Sequence, residues 1–151
     1  MNATTMTTFN YDHVGLSVAD LDAQRRFYAE AFGLEEHSYA EIPQPRTRIA
    51  FLRAATGLQI ELVERAGSAP HRVTDALKGA GLQTYFHWAL AVADLEDAIA
   101  TATAAGAERV SAPANAQRPG IRFAYIRDPE GNLIELVQAE AGPTSGTASS
   151  G

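Results

Sequence analysis

The chain has 151 residues, a hydrophobic content of 46%, a charged content of 20% and a formal net charge of −6. This length suits one ordinary domain, or two very small modules that pack or pair together. The negative charge argues against a nucleic-acid-binding face, and the absence of cysteine excludes disulfides, thiolate metal ligands and cysteine nucleophiles.

The sequence predicts neither a secretory signal nor a membrane-spanning segment. The start, MNATTMTTFN, lacks the positive charge and apolar stretch of a secretory signal. The longest apolar run, near Trp88 to Ala93, is too short to cross a bilayer. We therefore expect a cytoplasmic protein with no nucleic-acid or membrane partner. The small, polar residues of segment 140–151 predict a disordered tail.

The first module, residues 9–64, is predicted to contain one strand, one helix and three further strands. Alternation in FNYDHVGLSV places Val14, Leu16 and Val18 on one face and Tyr11, His13, Gly15 and Ser17 on the other. Asp20 is the expected N-cap of a helix over 21–32, and Gly33 the expected left-handed residue at its end. The later strands are expected near 35–42, 47–53 and 58–64, with AATG forming the last turn.

The second module, residues 85–139, repeats this order after a connector over 65–84 that has a predicted helical turn at Val73 to Lys78. Asp94 is the expected N-cap of a helix over 95–105, and Gly106 the expected left-handed residue. Strands are expected near 109–112, 121–127 and 133–137, and DPEG forms the turn between the last two. The sequence therefore predicts an α+β fold made of two tandem βαβββ modules.

A constant offset of 74 positions relates the two modules. HVGLSVADLDA begins at His13 and HWALAVADLEDA at His87, while GLQIELVE begins at Gly57 and GNLIELVQ at Gly131. The same offset separates RIAFLR from RFAYIR. An offset shared by three blocks indicates a duplicated structural unit. His13 therefore corresponds to His87, and Glu61 to Glu135.

These two histidines and two glutamates predict one metal site. Each Glu lies inside an apolar strand, on the face opposite the residues expected to pack on the helix, and a buried carboxylate needs a partner. A single Glu in a strand is more often solvated, and a single His is more often structural. Recurrence of both at one offset favours a divalent ion instead: zinc, nickel, cobalt, manganese or iron.

The motifs DHVGLSVADL with FYAEAFGL, HWALAVADLEDA and DPEGNLIELVQ resemble the vicinal oxygen chelate superfamily, which includes glyoxalase I, extradiol dioxygenases and bleomycin-resistance proteins. The resemblance covers residues 9 to 139. It implies that the modules form a cupped, incomplete barrel around a metal. It also implies that His13, Glu61, His87 and Glu135 are the ligands.

The resemblance favours the four-ligand isomerase and lyase branch, in which Glu135 or Glu61 is also the base that enolises a small oxygenated substrate. Of this pair, Glu135 is slightly preferred because DPEGNLIELVQ defines its position better. Extradiol dioxygenases bind iron with two His and one Glu, and their second ligand position is uncharged. In this chain Glu61 fills that position. Antibiotic-binding members lack the ligand set. Both remain alternatives, and we expect a homodimer, although the sequence leaves open whether the modules pair within a chain or between chains.

The residues expected around the site do not identify the substrate. Glyoxalase I carries an Arg four residues after its first ligand and an Asn four residues after its second, both contacting glutathione, whereas this chain has Ser17 and Arg65. Arg48 and Arg122 are predicted to lie on solvated strand edges, with an anion clamp as the alternative. His71, in the connector, is predicted to be exposed unless the connector covers the cup. His37 is predicted to lie on the surface.

Overall fold

The computed structural model describes residues 9–71 and 76–140, and within these ranges it contains one mixed sheet per module. The elements of the first module are β1 (Val14–Val18), α1 (Leu21–Phe32), β2 (Glu35–Pro43), β3 (Arg46–Arg53) and β4 (Gln59–Arg65). The connector contains α2 (Ala76–Ala80). The elements of the second module are β5 (Trp88–Ala91), α3 (Leu95–Ala104), β6 (Glu108–Arg109), β7 (Ala114–Asn115), β8 (Ile121–Arg127) and β9 (Leu133–Ala139). The α+β prediction is confirmed.

The two sheets share one topology. The first has the order β1-β4-β3-β2 and the second β5-β9-β8-β6, with β7 also paired to β8. β1 runs parallel to β4, and β5 runs parallel to β9, while the remaining neighbours are antiparallel. Gly15 lies opposite Glu61 and Ala89 opposite Glu135, so the register repeats with the offset of the sequence. Neither sheet closes into a barrel on its own.

Both long helices begin where the sequence predicts. The Asp20 side chain accepts a hydrogen bond from the Ala23 amide at 2.9 Å, and Asp94 accepts one from Asp97 at 2.8 Å. Gly33 ends α1 with φ of 64°, in the left-handed region. Gly106 also has a positive φ, of 114°, as predicted. The helix α3 itself ends at Ala104, one residue earlier than expected, and Ala105 caps it in a right-handed conformation.

The second module departs from the prediction of one strand over 109–112. Two short strands, β6 and β7, replace it. The amides of Val110 and Ser111 both donate to the carbonyl of Tyr125, so one residue of β8 faces two residues of the incoming chain. Pro113 follows after Ala112 and has no N–H to continue a ladder. The strand therefore breaks there and resumes at Ala114.

Two other predictions lie partly outside the described residues. The helical turn expected at Val73 to Lys78 overlaps α2, but 72–75 are not described. The tail from 141 onward also lies outside the described residues. Among the described helices, none has both the length and the apolar character needed to cross a membrane.

One hydrophobic core joins the two modules. α1 and α3 pack against each other and against the helix-facing sides of the sheets. The prediction that alternate residues of β4 and β9 face the helices is confirmed, because Ile60, Leu62, Ile134 and Leu136 are all fully buried. Burial of apolar surface on this scale is the main stabilising contribution to a fold. The sheet faces opposite the helices remain open, and Glu61 and Glu135 lie on them.

Candidate functional site

Parallel pairing of the first and last strands brings a histidine beside a glutamate in each module. His13 directly precedes β1, and Glu61 lies in the middle of the neighbouring β4. The Nε2 atom of His13 is 3.4 Å from Oε2 of Glu61. In the second module, Nε2 of His87 is 3.2 Å from Oε2 of Glu135. The structure therefore places all four predicted residues in two equivalent pairs.

The four side chains are half-buried. The exposed fractions are 32% and 23% for His13 and Glu61, and 22% and 21% for His87 and Glu135. Each imidazole also meets an aromatic edge: Phe51 at 5.1 Å and Tyr125 at 5.4 Å between ring centroids. These aromatic residues lie opposite the two glutamates in the sheet register. The setting lowers water access to both pairs without removing it.

The two modules differ in what contacts the site histidine at Nδ1, the ring nitrogen that faces away from the glutamate. Nδ1 of His13 is 2.6 Å from Oδ2 of Asp12. This hydrogen bond, followed by the charge of Glu61, raises the pKa of His13 above its ordinary value. At the equivalent position the second module has Phe86, whose ring lies 4.4 Å from that of His87. Nδ1 of His87 is buried and has no hydrogen-bond partner in the described residues.

A cavity of about 600 Å³ lies between the modules and is lined by both histidines. Its other walls include Ser17, Trp88 and Asn132, together with Tyr85 and Phe86 at the start of the second module. His71 is exposed, as predicted, yet it also lines this cavity. The connector therefore contributes His71 to the cavity wall, a question that the sequence analysis did not decide.

The two pairs do not merge into one cluster. Across residues 9–71 and 76–140, no group of three or more His, Asp or Glu side chains is placed to hold a metal ion. The donor chemistry nevertheless fits a divalent ion, since two imidazoles and two carboxylates are typical ligands of zinc and similar metals. The His87 ring supports this fit. Its Nε2 contacts Glu135, but its buried Nδ1 has no hydrogen-bond partner among the described residues, so the hydrogen-bonding capacity of the ring is only partly used.

The arginines that the sequence offered as an anion clamp are engaged elsewhere. Arg48 donates to Glu64 at 2.7 and 2.9 Å and to Asp22 at 3.0 Å. These hydrogen bonds raise the pKa of Arg48. Arg122 donates to Glu96 at 2.6 Å. Each of these guanidinium groups thus ties a strand to the first turn of a helix, which is a structural role.

Sequence reasoning missed Asp12 as a neighbour of the site, and the only available signal was its position directly before His13. It also missed the aromatic wall formed by Tyr85 and Phe86 at the start of the second module. Tyr85 is fully exposed and Phe86 is half-buried, so no burial pattern in the sequence marks them.

Comparison with known proteins places this geometry in a family. Residues 10–136 match the Glyoxalase/Bleomycin resistance protein/Dioxygenase superfamily. A probable lactoylglutathione lyase of Vibrio cholerae is 31% identical over 129 residues, which are 83% of this chain and 88% of that protein. The lactoylglutathione lyase GLX1 of Arabidopsis thaliana is 28% identical over 87% of this chain. This chain covers only 44% of that plant protein and so spans less than half its length.

Solved structures share the fold. A glyoxalase family protein from Bacillus cereus superposes with a TM-score of 0.75 at 23% identity, covering 93% of this chain and 100% of that one. Glyoxalase I from Zea mays gives a TM-score of 0.69 at 23% identity, covering 87% of this chain and 45% of that one. With the family match over most of its length, this chain belongs to the glyoxalase, bleomycin resistance protein and dioxygenase superfamily.

Proposed function

We propose that this protein is a divalent-metal-dependent lyase or isomerase that enolises a small substrate chelated through its oxygens. The observation that carries the proposal is the repeated pair, in which a strand glutamate on the open sheet face lies 3.2 to 3.4 Å from an imidazole nitrogen. Relatives named as lactoylglutathione lyases support a lyase over a non-catalytic binding protein.

His13, Glu61, His87 and Glu135 would hold the metal. When bound, a divalent ion supplies Lewis-acid polarisation of a coordinated carbonyl oxygen. The donor set suits zinc, nickel, cobalt, manganese or iron, and it contains no thiolate because the chain has no cysteine.

One glutamate would also move the proton. Removal of a proton next to a carbonyl needs a base within hydrogen-bond reach of the carbon that carries it. Glu135 and Glu61 are the carboxylates that face away from the core beside an imidazole. Glu135 is the slightly preferred base. The neighbouring histidine keeps the carboxylate oriented, and Tyr125 and Phe51 limit access of water from the side.

For a centre closed within one chain, the cavity between the modules gives the scale of the substrate. A volume of about 600 Å³ accepts a small or medium-sized organic molecule. Aromatic side chains of Phe86 and Trp88 offer apolar contact, while Ser17 and Asn132 offer hydrogen bonds. This combination suits an oxygenated substrate that also has an apolar part.

The complete centre would form across a homodimer. In one chain α1 and α3 pack together, and each His–Glu pair stays on its own open sheet face. A second copy brings the missing pair to each face if the first module of each chain packs against the second module of the other around a two-fold axis. Two copies then give two equivalent sites, each with ligands from both chains.

Metal content tests the proposal. Protein purified without added metal should contain one of the five divalent metals, and His87→Ala should lose both that metal and thermal stability, because a ligand of the native state stabilises it. His37→Ala is the matched control, since His37 lies exposed on β2. Equal metal content in wild type and His87→Ala would contradict the assignment of His87 as a ligand.

Proton exchange tests the reaction. Small thioesters and α-hydroxyketones incubated with the enzyme in deuterated water should exchange the proton next to the carbonyl. Glu135→Gln should retain metal but lose this exchange, because an amide offers an oxygen yet cannot take the proton. If Glu61→Gln and Glu135→Gln both exchange at the wild-type rate, neither is the base. Iron content with oxygen uptake on catechols would instead indicate an extradiol dioxygenase.

A further inference from the structure

The residue directly before each site histidine differs between the modules. In the first module it is Asp12, whose Oδ2 lies 2.6 Å from Nδ1 of His13. In the second it is Phe86, which packs its ring at 76° to that of His87 and offers no acceptor. The repeat therefore conserves the histidines and glutamates but gives only one histidine a carboxylate on its outer nitrogen.

A carboxylate on one ring nitrogen determines what the other nitrogen does. When Nδ1–H donates to Asp12, the neutral ring carries its proton on Nδ1 and presents the lone pair of Nε2. Nε2 of His13 faces Glu61 at 3.4 Å, which is the side on which the other proposed ligand lies. Such carboxylate contacts fix the tautomer and orientation of metal-binding histidines and increase their basicity as ligands.

The glutamate of the first module is also held close to the backbone. A Cβ atom on Gly15 would lie 3.2 Å from Oε2 of Glu61. The second module has Ala89 at the equivalent place opposite Glu135. The first pair thus has an oriented histidine and a glutamate that lies tightly over a glycine, whereas the second pair has neither feature.

We infer that Asp12 is a positioning residue that makes His13 and Glu61 the tighter half of the metal centre. This inference rests on the proposed function, since it assigns unequal roles to the two halves of that centre. The second half lacks this support, since His87 contacts Glu135 through Nε2 at 3.2 Å but its Nδ1 has no hydrogen-bond partner among the described residues.

Zinc affinity of the metal-free protein, measured by competition with a chromophoric chelator, tests this inequality. Loss of such a carboxylate contact costs about 10-fold to 100-fold in metal affinity, and we expect Asp12→Ala near the lower value. The Asp12 side chain is 79% exposed, so solvent weakens its contact. Asp12→Asn should recover part of the loss, because its amide oxygen still accepts from Nδ1–H.

Asp97→Ala is the control, because it removes the same charge from an exposed position on α3. It should bind zinc as tightly as wild type. Zinc affinity of Asp12→Ala within twofold of the wild-type value would overturn the inference. A loss of equal size in Asp97→Ala would also overturn it, since the effect would then come from net charge alone.

The tautomer of His13 gives a readout that needs no metal. Nitrogen-15 NMR of the metal-free protein, recorded at a pH high enough for the His13 ring to be neutral despite its raised pKa, distinguishes a proton on Nδ1 from one on Nε2. Wild type should show His13 protonated on Nδ1, and Asp12→Ala should shift the proton toward Nε2. A wild-type ring protonated on Nε2 would overturn the orienting role, whether or not zinc binds. If the tautomer is as expected but no zinc binds, the proposed metal centre fails while the orienting role of Asp12 stands.

Discussion

The hydroxyl of Tyr28 donates a hydrogen bond of 2.8 Å to Oδ2 of Asp128 and so ties the helix of the first module to the last turn of the second. Both residues are buried. Gln24 and Asn132 donate to the same oxygen at 3.2 and 2.7 Å. Burial, followed by the charge of Asp128, raises the pKa of Tyr28 well above its ordinary value, so this tyrosine stays a donor. The packing of the modules within one chain therefore rests on a specific polar contact as well as on the apolar core.

Removing the Tyr28 hydroxyl and removing the Asp128 carboxylate should both destabilise the fold, but by different amounts. Tyr28→Phe leaves Asp128 with its other donors and should cost about 1–2 kcal/mol. Asp128→Ala leaves a buried hydroxyl and a buried amide unpaired and should cost about 2–5 kcal/mol. Urea unfolding at neutral pH measures both changes in the free energy of unfolding. Tyr39→Phe is the control, because Tyr39 bonds Glu41 on the exposed strand β2. A Tyr28→Phe cost no larger than that of the control would contradict this role.

An ion pair in the first module, between Arg48 and Glu64, makes stability depend on pH. The hydrogen bond from Arg48 holds the pKa of Glu64 below its ordinary value of 4.5, and the amide of Leu21 also donates to it at 2.8 Å. A carboxyl whose pKa is lowered by folding stabilises the native state above its unfolded pKa, and this contribution disappears as pH falls through the folded value. The pair should therefore contribute at neutral pH and lose its contribution in acid.

The repeat supplies the matched variant for this test. Gln138 stands at the position equivalent to Glu64 and accepts from the amide of Leu95 at 2.8 Å, so an uncharged side chain can cap the helix there. Glu64→Gln should lower stability by about 1 kcal/mol at pH 7, because the pair is partly exposed. Urea unfolding from pH 7 down to acid should show this difference shrink toward zero below 4.5. A difference that is constant with pH would show that charge is not its cause.

The alternation of apolar residues in β1 and β4, with the offset of 74 positions, correctly predicted that Glu61 and Glu135 occupy equivalent places in the two sheets. It predicted one merged cluster with His13 and His87, whereas the structure holds two separate His–Glu pairs. That pattern depends on the two-residue period of a strand, which local sequence reports well. Contacts across the module junction could not be predicted in the same way. Glu130 accepts hydrogen bonds from the amides of Ala19 and Asp20, more than 100 residues away. The turn DPEG contains acidic residues, and the equivalent turn AATG contains none. This difference indicated that DPEG does more than form a turn, but the contact that its Glu130 makes becomes visible only when the modules pack together.

The substrate prediction is negative for glutathione. Ser17 and Arg65 stand where the resemblance to glyoxalase I implies glutathione-contacting Arg and Asn side chains. Arg65 presents a larger, charged group than Asn, and Ser17 is too short to replace Arg. The adduct of methylglyoxal and glutathione should therefore be converted poorly, as measured by the rate of product formation at saturating metal. The double variant Ser17→Arg with Arg65→Asn should raise kcat/KM for this adduct. Efficient conversion by wild type would refute the prediction and would agree with the names of its relatives.

The proposed assembly of a metal centre from two chains makes a prediction about mixtures of inactive variants. One variant carries His13→Ala with Glu61→Ala, and the other carries His87→Ala with Glu135→Ala. Neither alone has a complete set of ligands, in whichever way the modules pair. In a mixed dimer with sites between chains, one site has lost all four ligands and the other has kept all four. Refolding the two variants together should therefore restore metal binding to part of the protein.

The alternative, closure within one chain, predicts no recovery, because every chain then lacks half of its own ligands. This alternative is a real competitor, since His13 and His87 of a single chain line the same cavity. Metal content of the refolded mixture, compared with each variant refolded alone, separates the two arrangements. Size-exclusion chromatography of the same samples reports whether dimers form at all. Dimers without recovered metal would place the centre inside each chain, and a monomeric wild type that binds metal would do the same.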